Sequence, residues 1–421
     1  MVRIPFTGVK KLRSSDFKNF AEIVIRAYPG MLPERFSQED KASWIDRMQT
    51  VQEENMKINY WGYFKNDALI GGMILYDYKM SLFNISIDVG GVGLVCVDLL
   101  RKKEHTAKRL IEFFHQYYLD RGFVLTCLWP FRSDFYEKMG YAIGKKMNQY
   151  RFRPTQIRLS SQEPVSYLEN KDIPELCGFF NAIASNTHGM IHREEAQFNK
   201  LFRDKLVVGY QRNGRIEGYI NFSFKKLNPD NFVQNAIEIM EFIYSTPQAL
   251  RALLTFLRKQ DDQIDQIVFN TPEDSFHLVL TDSRLENPSM FLTAQASNLQ
   301  GVGVMYRILN LKKFFERLKD RNFGGETIRV RISISDTFLP ENSDPFVLSF
   351  KDGHVSILSE NENFDVELIT DVAMLTSMVL GVTSFKTLHS YGFIHASNSQ
   401  YIEEMDRVFR TEKQPITIEQ F

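Results

Sequence analysis

Between Gly90 and Tyr141 the chain passes from an apolar, valine-rich run (Val92, Leu94, Val95, Val97) through a polar turn to apolar residues at helical spacing, Ala107, Leu110, Ile111, Phe114 and Tyr118. The first pattern predicts a strand buried on both faces, and the second an amphipathic helix packed on it. A short strand ending at Trp129 and an aromatic turn from Phe135 to Tyr141 close the stretch. Upstream, Phe17 to Ala27 has helical periodicity after a Ser14-Ser-Asp16 start, and Tyr60 to Tyr78 reads as a hairpin turning at Asn66-Asp67. A short strand beginning at Val9, this helix and the hairpin therefore lead into the buried strand.

The pattern returns at an offset of 147 residues. Gly62-Tyr-Phe-Lys-Asn66 with Gly71 aligns with Gly209-Tyr-Gln-Arg-Asn213 with Gly218, and Val95 and Val97 fall on Phe242 and Tyr244. A crossover helix over Ala252 to Leu257 and a strand over Ile264 to Phe269 complete a second copy, so two tandem domains of one ancestry are expected. Arg151 to Asn170 reads as a strand and connection, and Ile173 to Phe202 as two helices around Asn186-Thr-His188-Gly. His188 and His192 are four apart, but the intervening Gly-Met-Ile lacks the glutamate of HExxH and no third ligand is evident, so no metal is expected.

From Gly301 the grammar changes. Val304 to Leu309 alternates, a helix spans Leu311 to Leu318, and Thr327 to Ile334 alternates as a half-buried strand. Phe346 to Phe350 and Val355 to Leu358 flank a Lys351-Asp352-Gly353 turn, and Asp371 to Leu380 is a capped helix closed by Gly381. This predicts a third, α+β domain.

Composition narrows the partners. Lysine and arginine number 51 against 52 aspartates and glutamates, a net charge of −1, which leaves no electrostatic footprint for nucleic acid or an anionic membrane. The N-terminus lacks an apolar signal core, and no run approaches the ~20 apolar residues that span a bilayer. Cys96, Cys127 and Cys177 lie in apolar segments without a CxxC, as buried thiols in a reducing cytoplasm do. A soluble, cytoplasmic protein is expected.

Its basic chemistry is local. Arg101, Lys102 and Lys103 stand where a helix begins, against the helix dipole, and a bound polyanion is the usual compensation. Strand, basic turn and helix form a pyrophosphate cradle for a nucleotide or coenzyme A; solvated loop cations are the plainer alternative. Val97 to Ala107 also resembles the acyl-CoA motif of the GNAT N-acetyltransferases, Arg/Gln-x-x-Gly-x-Gly/Ala after a strand. Lys102 stands at its first position, Ala107 at its last, and His105 replaces the glycine. Phe135-Tyr136-Glu-Lys-Met-Gly140-Tyr141 resembles the Tyr-x-x-x-Gly-Phe/Tyr turn of the same fold. The resemblance implies acetyl-CoA as co-substrate at Val95, Cys96, Val97, Lys102, Lys103, Glu104, His105, Thr106, Ala107, Lys108, Phe131 and Arg132. It implies Tyr136 as the general acid that protonates the departing thiolate, a task that suits a phenol of pKa about 10. Backbone N–H groups of Val95 to Val97 would meet the thioester carbonyl. The second copy, with Ala249-Leu-Arg-Ala-Leu-Leu254 at the matching place, offers no such cradle.

Met305-Tyr-Arg-Ile, Ser335-Asp336 and Asp371 to Gly381 resemble the sterol-carrier-like domain that closes the enhanced-intracellular-survival (Eis) acetyltransferases. That family has two tandem GNAT units and this third domain. The order implies domains at 1–153 (acetyl-CoA-binding), 154–300 (degenerate) and 301–421 (sterol-carrier-like). It implies a homo-oligomer, trimer or hexamer, and aminoglycosides, polyamines or lysine-like amines as acceptors. It further implies that the strand-like tail Ile416 to Phe421 enters the first domain, where the α-carboxylate of Phe421 accepts the amine's proton. Such a carboxylate, of pKa about 3.5, is a poor base unless burial raises it or water relays the proton. Glu34, Glu39, Asp40 and Trp44 could hold an amine, or equally form a solvated helix start. A non-catalytic acyl-CoA- or lipid-binding protein of the same fold is the competing class.

Overall fold

In the computed structural model, which describes residues 6–421 apart from 32–35, 204, 286–288 and 292–293, both repeats are built around left-handed hairpin turns. Asn66 and Asp67 have φ of 52° and 65°, and Asn213 and Gly214 of 52° and 74°, the geometry whose twist matches that of the flanking strands.

Four strands of the first repeat pair in antiparallel succession, β1 (Gly8–Lys11), β2 (Ile58–Lys65), β3 (Ala68–Leu82) and β4 (Ile85–Val97). Helices α1 (Phe17–Ala27) and α2 (Gln38–Glu54) cover one face, where Phe17, Phe20 and Met48 pack with Tyr60 and Ile74. The crossover helix α3 (Thr106–Asp120) covers the other through Leu110, Ile111 and Phe114, and returns the chain to β5 (Leu125–Leu128), parallel to β4. Then come α4 (Ser133–Glu137) and β6 (Ala142–Ile143).

The second repeat contains β7 (Met147–Phe152), β8 (Ser166–Tyr167), α5 (Ile173–Ser185), α6 (Glu195–Phe198), β9 (Leu206–Arg212), β10 (Arg215–Lys226), β11 (Asn235–Tyr244), α7 (Pro247–Arg258) and β12 (Ile264–Thr271). A ribbon of β13 (Ser289–Phe291) and β14 (Ala294–Gln295) and the edge strand β15 (Leu299–Gly301) follow. The repeat extends to register: the parallel β4–β5 ladder ends at Val92 with Leu128, and the β11–β12 ladder ends at Ile239, 147 positions on, with Phe269.

Two strands cross the expected boundaries at 153 and 300. The strand β16 (Met305–Ile308), expected to open the third domain, lies in the first sheet between β5 and β6, and β7 lies in the second sheet beside β12. All four residues of β16 are buried, so it needs neighbours on both edges and cover on both faces. Its Arg307 meets both carboxylate oxygens of Asp336, at 2.9 and 2.7 Å, and the Met139 carbonyl. A Cβ on Gly140 would fall 1.5 Å from that guanidinium, which is why the Tyr136-to-Gly140 turn requires glycine there.

The third unit comprises α8 (Leu311–Arg317), β17 (Ile328–Ser335), β18 (Phe346–Lys351), β19 (His354–Leu358), β20 (Val366–Asp371), α9 (Val372–Val379), α10 (Phe385–Ser390), β21 (His395–Ala396) and α11 (Ile402–Phe409). Its five strands run in the order β19-β18-β17-β20-β21. Asp371 caps α9 by accepting from the Met374 N–H at 2.8 Å. Its core joins the first sheet's: Val330, Leu348 and Leu375 share one cluster with Met80, Val89 and Cys127. Among the described residues no helix is long and apolar enough to cross a membrane.

Candidate active site

Strand β4 is interrupted where its ladder with β5 stops. Ile74 pairs with Gly93 but Gly72 pairs with Cys96, so β4 carries an extra residue, and Leu94 takes φ 46°. This bulge turns Gly93 to Val97 away from β5. A gap opens between the last five residues of β4 and the Trp129–Arg132 loop. The Val95 carbonyl accepts from the Tyr28 hydroxyl at 2.6 Å. Burial pushes the Cys96 thiol up to about 12, so it stays protonated and is no nucleophile.

The C-terminal segment fills one side of this gap. A Cβ on Gly93 would lie 2.8 Å from the Phe421 carboxyl carbon, so only glycine admits the tail. The Phe421 ring packs against Tyr76 and Tyr78, with centroids 5.6 and 5.2 Å away. The tail is not the strand its alternation predicts: among the described residues it has no ladder partner, and its most buried residues are Thr417 and Glu419 rather than the isoleucines. The reason is a polar wall. Thr417 bonds the Tyr306 hydroxyl and Gly189 carbonyl at 2.7 Å each, Trp129 Nε1 donates to the Glu419 carbonyl at 2.9 Å, and Glu419 meets Arg193 and Lys200 at 2.5 Å each. Although burial works against it, Arg193 and Lys200 hold the Glu419 carboxyl below its ordinary range.

Tyr136 lies on α4, 2% exposed, among Phe131, Phe135 and Tyr141. Burial, with a smaller contribution from Tyr28, raises its phenol well above the ordinary value. Its hydroxyl has no hydrogen-bond partner among the described residues.

The basic turn leaves a helix end open. His105, the N-cap of α3, has φ 60° and ψ 14° and makes no side-chain cap; Lys103 is also left-handed. No protein acceptor meets the Thr106, Ala107 or Lys108 N–H groups among the described residues, and the buried Thr106 hydroxyl is unpaired. Lys102 and Lys103 are exposed and without ion pairs among those residues. Unpaired donors beside free cations fit a pyrophosphate. The other predicted residues are engaged: Glu104 pairs with Lys65 at 2.7 Å, Lys108 with Glu112 at 3.6 Å, and Arg132 with Asp134 at 2.5 Å. Phe131 is exposed.

Of the expected amine-holding segment, Trp44 packs in the cluster that contains Leu94 and Cys96 of β4. Glu34 lies outside the described residues, and Asp40 forms a capping box with Ser37 at the start of α2. His188 and His192 have other partners: Phe83 N–H donates to His188 Nδ1, whose Nε2 bonds the Leu380 carbonyl, and His192 bonds Ser81.

Family profiles match the chain in three stretches: an acetyltransferase (GNAT) domain over residues 8–144, a second over 189–308, and a sterol carrier protein domain over 311–418. The chain carries two GNAT domains and a sterol carrier protein domain. That content makes it an N-acetyltransferase in class. Among solved structures, a GCN5-related N-acetyltransferase from Anabaena variabilis is similar at TM-score 0.80 and 17% identity, and a probable N-acyltransferase from Enterococcus faecalis at 0.79 and 17%. Eis1 from Mycobacterium abscessus is similar at 0.74 and 19%. Each alignment covers 99% of this chain and 100% of the other. At these identities the likeness shows a shared fold over the full length. No curated protein matches the chain significantly.

In this three-domain acetyltransferase several residues that build the gap escaped the sequence reading. Tyr28, Gly93, Trp129 and the Arg193–Glu419 pair come from five separate segments, and no local pattern joins them. The detectable signal was the Gly90-Gly91-x-Gly93 cluster within an otherwise apolar strand, which marks close approach of other groups to backbone.

Proposed function

We propose that the protein transfers acetyl from acetyl-CoA directly to a primary amine at the open end of β4, with Tyr136 as general acid and the Phe421 α-carboxylate receiving the amine's proton. The observation that carries this reading is the seat of the Phe421 carboxyl group on Gly93, beside the bulge. It takes Phe421 as the end of the mature chain, which the mass of the C-terminal peptide checks.

An amine of pKa about 10 is mostly protonated at neutral pH and must lose a proton before its nitrogen attacks the thioester carbonyl. The carboxylate orients the ammonium and passes the proton on, directly or through water. Backbone N–H groups of Val95 to Val97 stabilise the charge that develops on the carbonyl oxygen. As the carbon–sulfur bond breaks, Tyr136 gives its proton to sulfur, and the second proton shed by the acylated nitrogen restores the phenol. The products are an amide and a free thiol. Lys102, Lys103, His105 and the open turn from Thr106 to Lys108 hold the pyrophosphate, with Val95, Cys96, Val97, Glu104 and Phe131 along the gap. Arg132 contributes only by leaving Asp134.

His105 in place of the motif's glycine argues for the competing, non-catalytic reading. Its left-handed backbone keeps the loop on the path glycine would take, which favours a working cradle. The resemblance to Eis enzymes suggests aminoglycosides, polyamines or lysine-like amines as acceptors. Three buried free thiols support residence in a reducing cytoplasm. A trimer or hexamer rests on the resemblance, and sedimentation tests it.

The deciding assay follows thiol release with acetyl-CoA and a panel of amines. Tyr136→Phe is expected to lower turnover by at least about 100-fold while calorimetric coenzyme affinity stays unchanged; undiminished turnover removes Tyr136 from the mechanism. A few residues added after Phe421 should abolish turnover in a protein that still folds, and full activity there refutes the carboxylate's role.

A further inference from the structure

Where the open ends of β11 and β12 face the tail there is a cavity of about 340 Å³. It occupies in the second domain the place that the coenzyme gap holds in the first, because its lining begins where the β11–β12 ladder stops. Met240 to Ile243 and Phe269 to Pro272 form one side. Trp129 and Met147, with Ile418, Gln420 and Phe421 of the tail, form the other. The cavity thus reaches the residue whose carboxyl group rests on Gly93.

Its walls are chiefly apolar and aromatic, and its one acidic side chain is already committed. Both Glu241 oxygens bond Arg193, at 2.8 and 2.9 Å, and one also accepts from the Tyr219 hydroxyl at 2.7 Å. The neighbouring Glu419 is shared by Arg193 and Lys200. Two carboxylates and two cations cancel, so this cluster offers a ligand no net negative charge. Asn270 and Gln420 add only neutral polar groups. A polyamine or aminoglycoside would bring several ammonium groups against this lining with no counter-ion for most of them, which is unfavourable for buried charge. A single ammonium on an apolar body would lay that body on Trp129, Phe242 and Phe269, as ligand sites of mainly apolar lining with few polar groups do.

We propose that this cavity is the acceptor site and that it takes monoamines carrying an aryl or branched alkyl body, in preference to polyamines and aminoglycosides. The chemistry at Gly93 rests on the function proposed above; binding in the cavity does not.

Trp129 provides a readout that does not require turnover. In the full-length protein, 2-phenylethylamine should change tryptophan emission saturably, with or without acetyl-CoA, and the change should vanish in Trp129→Phe, which keeps Trp44 and Trp61. Spermine and neomycin should bind at least tenfold more weakly and show at least tenfold lower kcat/KM. Met240→Glu, which adds an unpaired carboxylate to a half-exposed wall position, should narrow that preference about tenfold in favour of spermine. Equal or tighter binding of spermine or neomycin by the unmodified protein overturns the proposal, as does the lack of any saturable signal with 2-phenylethylamine. Saturable binding of 2-phenylethylamine through Trp129 without acetyl transfer supports the acceptor site and overturns the catalytic reading instead, so the two failures are distinguishable.

Discussion

The two acetyltransferase domains begin their crossover helices in opposite ways. Helix α3 starts at a left-handed His105 whose side chain caps nothing, and among the described residues its first N–H groups and the Thr106 hydroxyl have no protein partners. Helix α7 closes its own start: Thr246 accepts from the Ala249 N–H at 3.2 Å and donates to Glu217 at 2.9 Å, and Pro247 removes one donor outright. The surrounding geometry is otherwise shared. A Cβ on Gly71 would lie 3.0 Å from Thr106, and one on Gly218, 147 positions on, 3.0 Å from Ala249. An N-cap side chain contributes typically about 1 kcal/mol, so an uncapped start persists where a ligand supplies the missing acceptors. The second domain kept the fold, closed the phosphate end, and gave its strand gap to an acceptor cavity.

Removing the cations is the strongest way to break this comparison. Replacing Lys102 and Lys103 together by alanine should weaken acetyl-CoA binding on the order of 100-fold, about 2.7 kcal/mol, because two charge-assisted contacts to phosphate are lost. Arg251→Ala, the lone cation in the matching stretch of α7, should leave calorimetric affinity unchanged. Comparable losses in the two proteins would mean that both domains hold coenzyme.

Acid tests the joint between the domains with a smaller effect. His188 accepts from Phe83 of the first domain, bonds Leu380 of the third, and receives the tail's Ile416 N–H on its own carbonyl at 2.7 Å. Burial, partly offset by the Leu380 hydrogen bond, lowers its pKa to about 4. The fold therefore holds His188 neutral at pH values where the unfolded chain, titrating near 6.5, takes up a proton. Stability is fully present above about pH 6.5 and is lost toward pH 4, by up to about 1.4 kcal/mol per pH unit. The deeply buried His115 shifts in the same direction, through burial and then Arg307. Thermal unfolding between pH 7 and 5 should show the fall, and His188→Asn should flatten it; an unchanged slope removes His188 as a contributor.

The same division between local and distant interactions explains what could be read in the chain. The hairpin turns at Asn66-Asp67 and Asn213-Gly214, the Asp371 cap and the 147-residue repeat are set by neighbours in sequence, and each is legible there. The basic turn and the Tyr136 turn were also visible, because a helix start and a glycine requirement are local. The exchange of β7 and β16 between sheets was not, since it depends on which edges remain free once both sheets form. Val304 to Leu309 reads as alternating, yet Arg307 alone breaks its apolar run, and such a run suits an interior strand better than an alternating one. The tail misled because alternation reports which side is apolar, whereas Arg193, Tyr306 and the Gly189 carbonyl, all far away in sequence, made the polar side of Ile416 to Glu419 the buried one.

The finest distinction between the two helix starts is made by one substitution placed at both. At φ 60° a residue with a Cβ is strained by roughly 1–2 kcal/mol, while glycine enters that region freely but loses more chain entropy on folding, roughly 0.5–1 kcal/mol against alanine. His105→Gly should thus stabilise the ligand-free protein slightly, by about 0.5 kcal/mol from the difference of those terms. Thr246 has extended backbone, φ −132°, and a working hydroxyl, so Thr246→Gly gains no strain relief and should destabilise by a few tenths to about 2 kcal/mol. Denaturant midpoints of the two variants therefore move in opposite directions. Acetyl-CoA affinity separates backbone from side chain at the first site: a loss in His105→Gly despite its higher midpoint assigns a phosphate contact to the imidazole, and an unchanged Kd leaves the cradle to the open N–H groups and lysines. A loss of stability in both variants would show that the left-handed start of α3 is held by His105 packing in the loop, and the contrast between an open and a closed helix end would no longer rest on that residue.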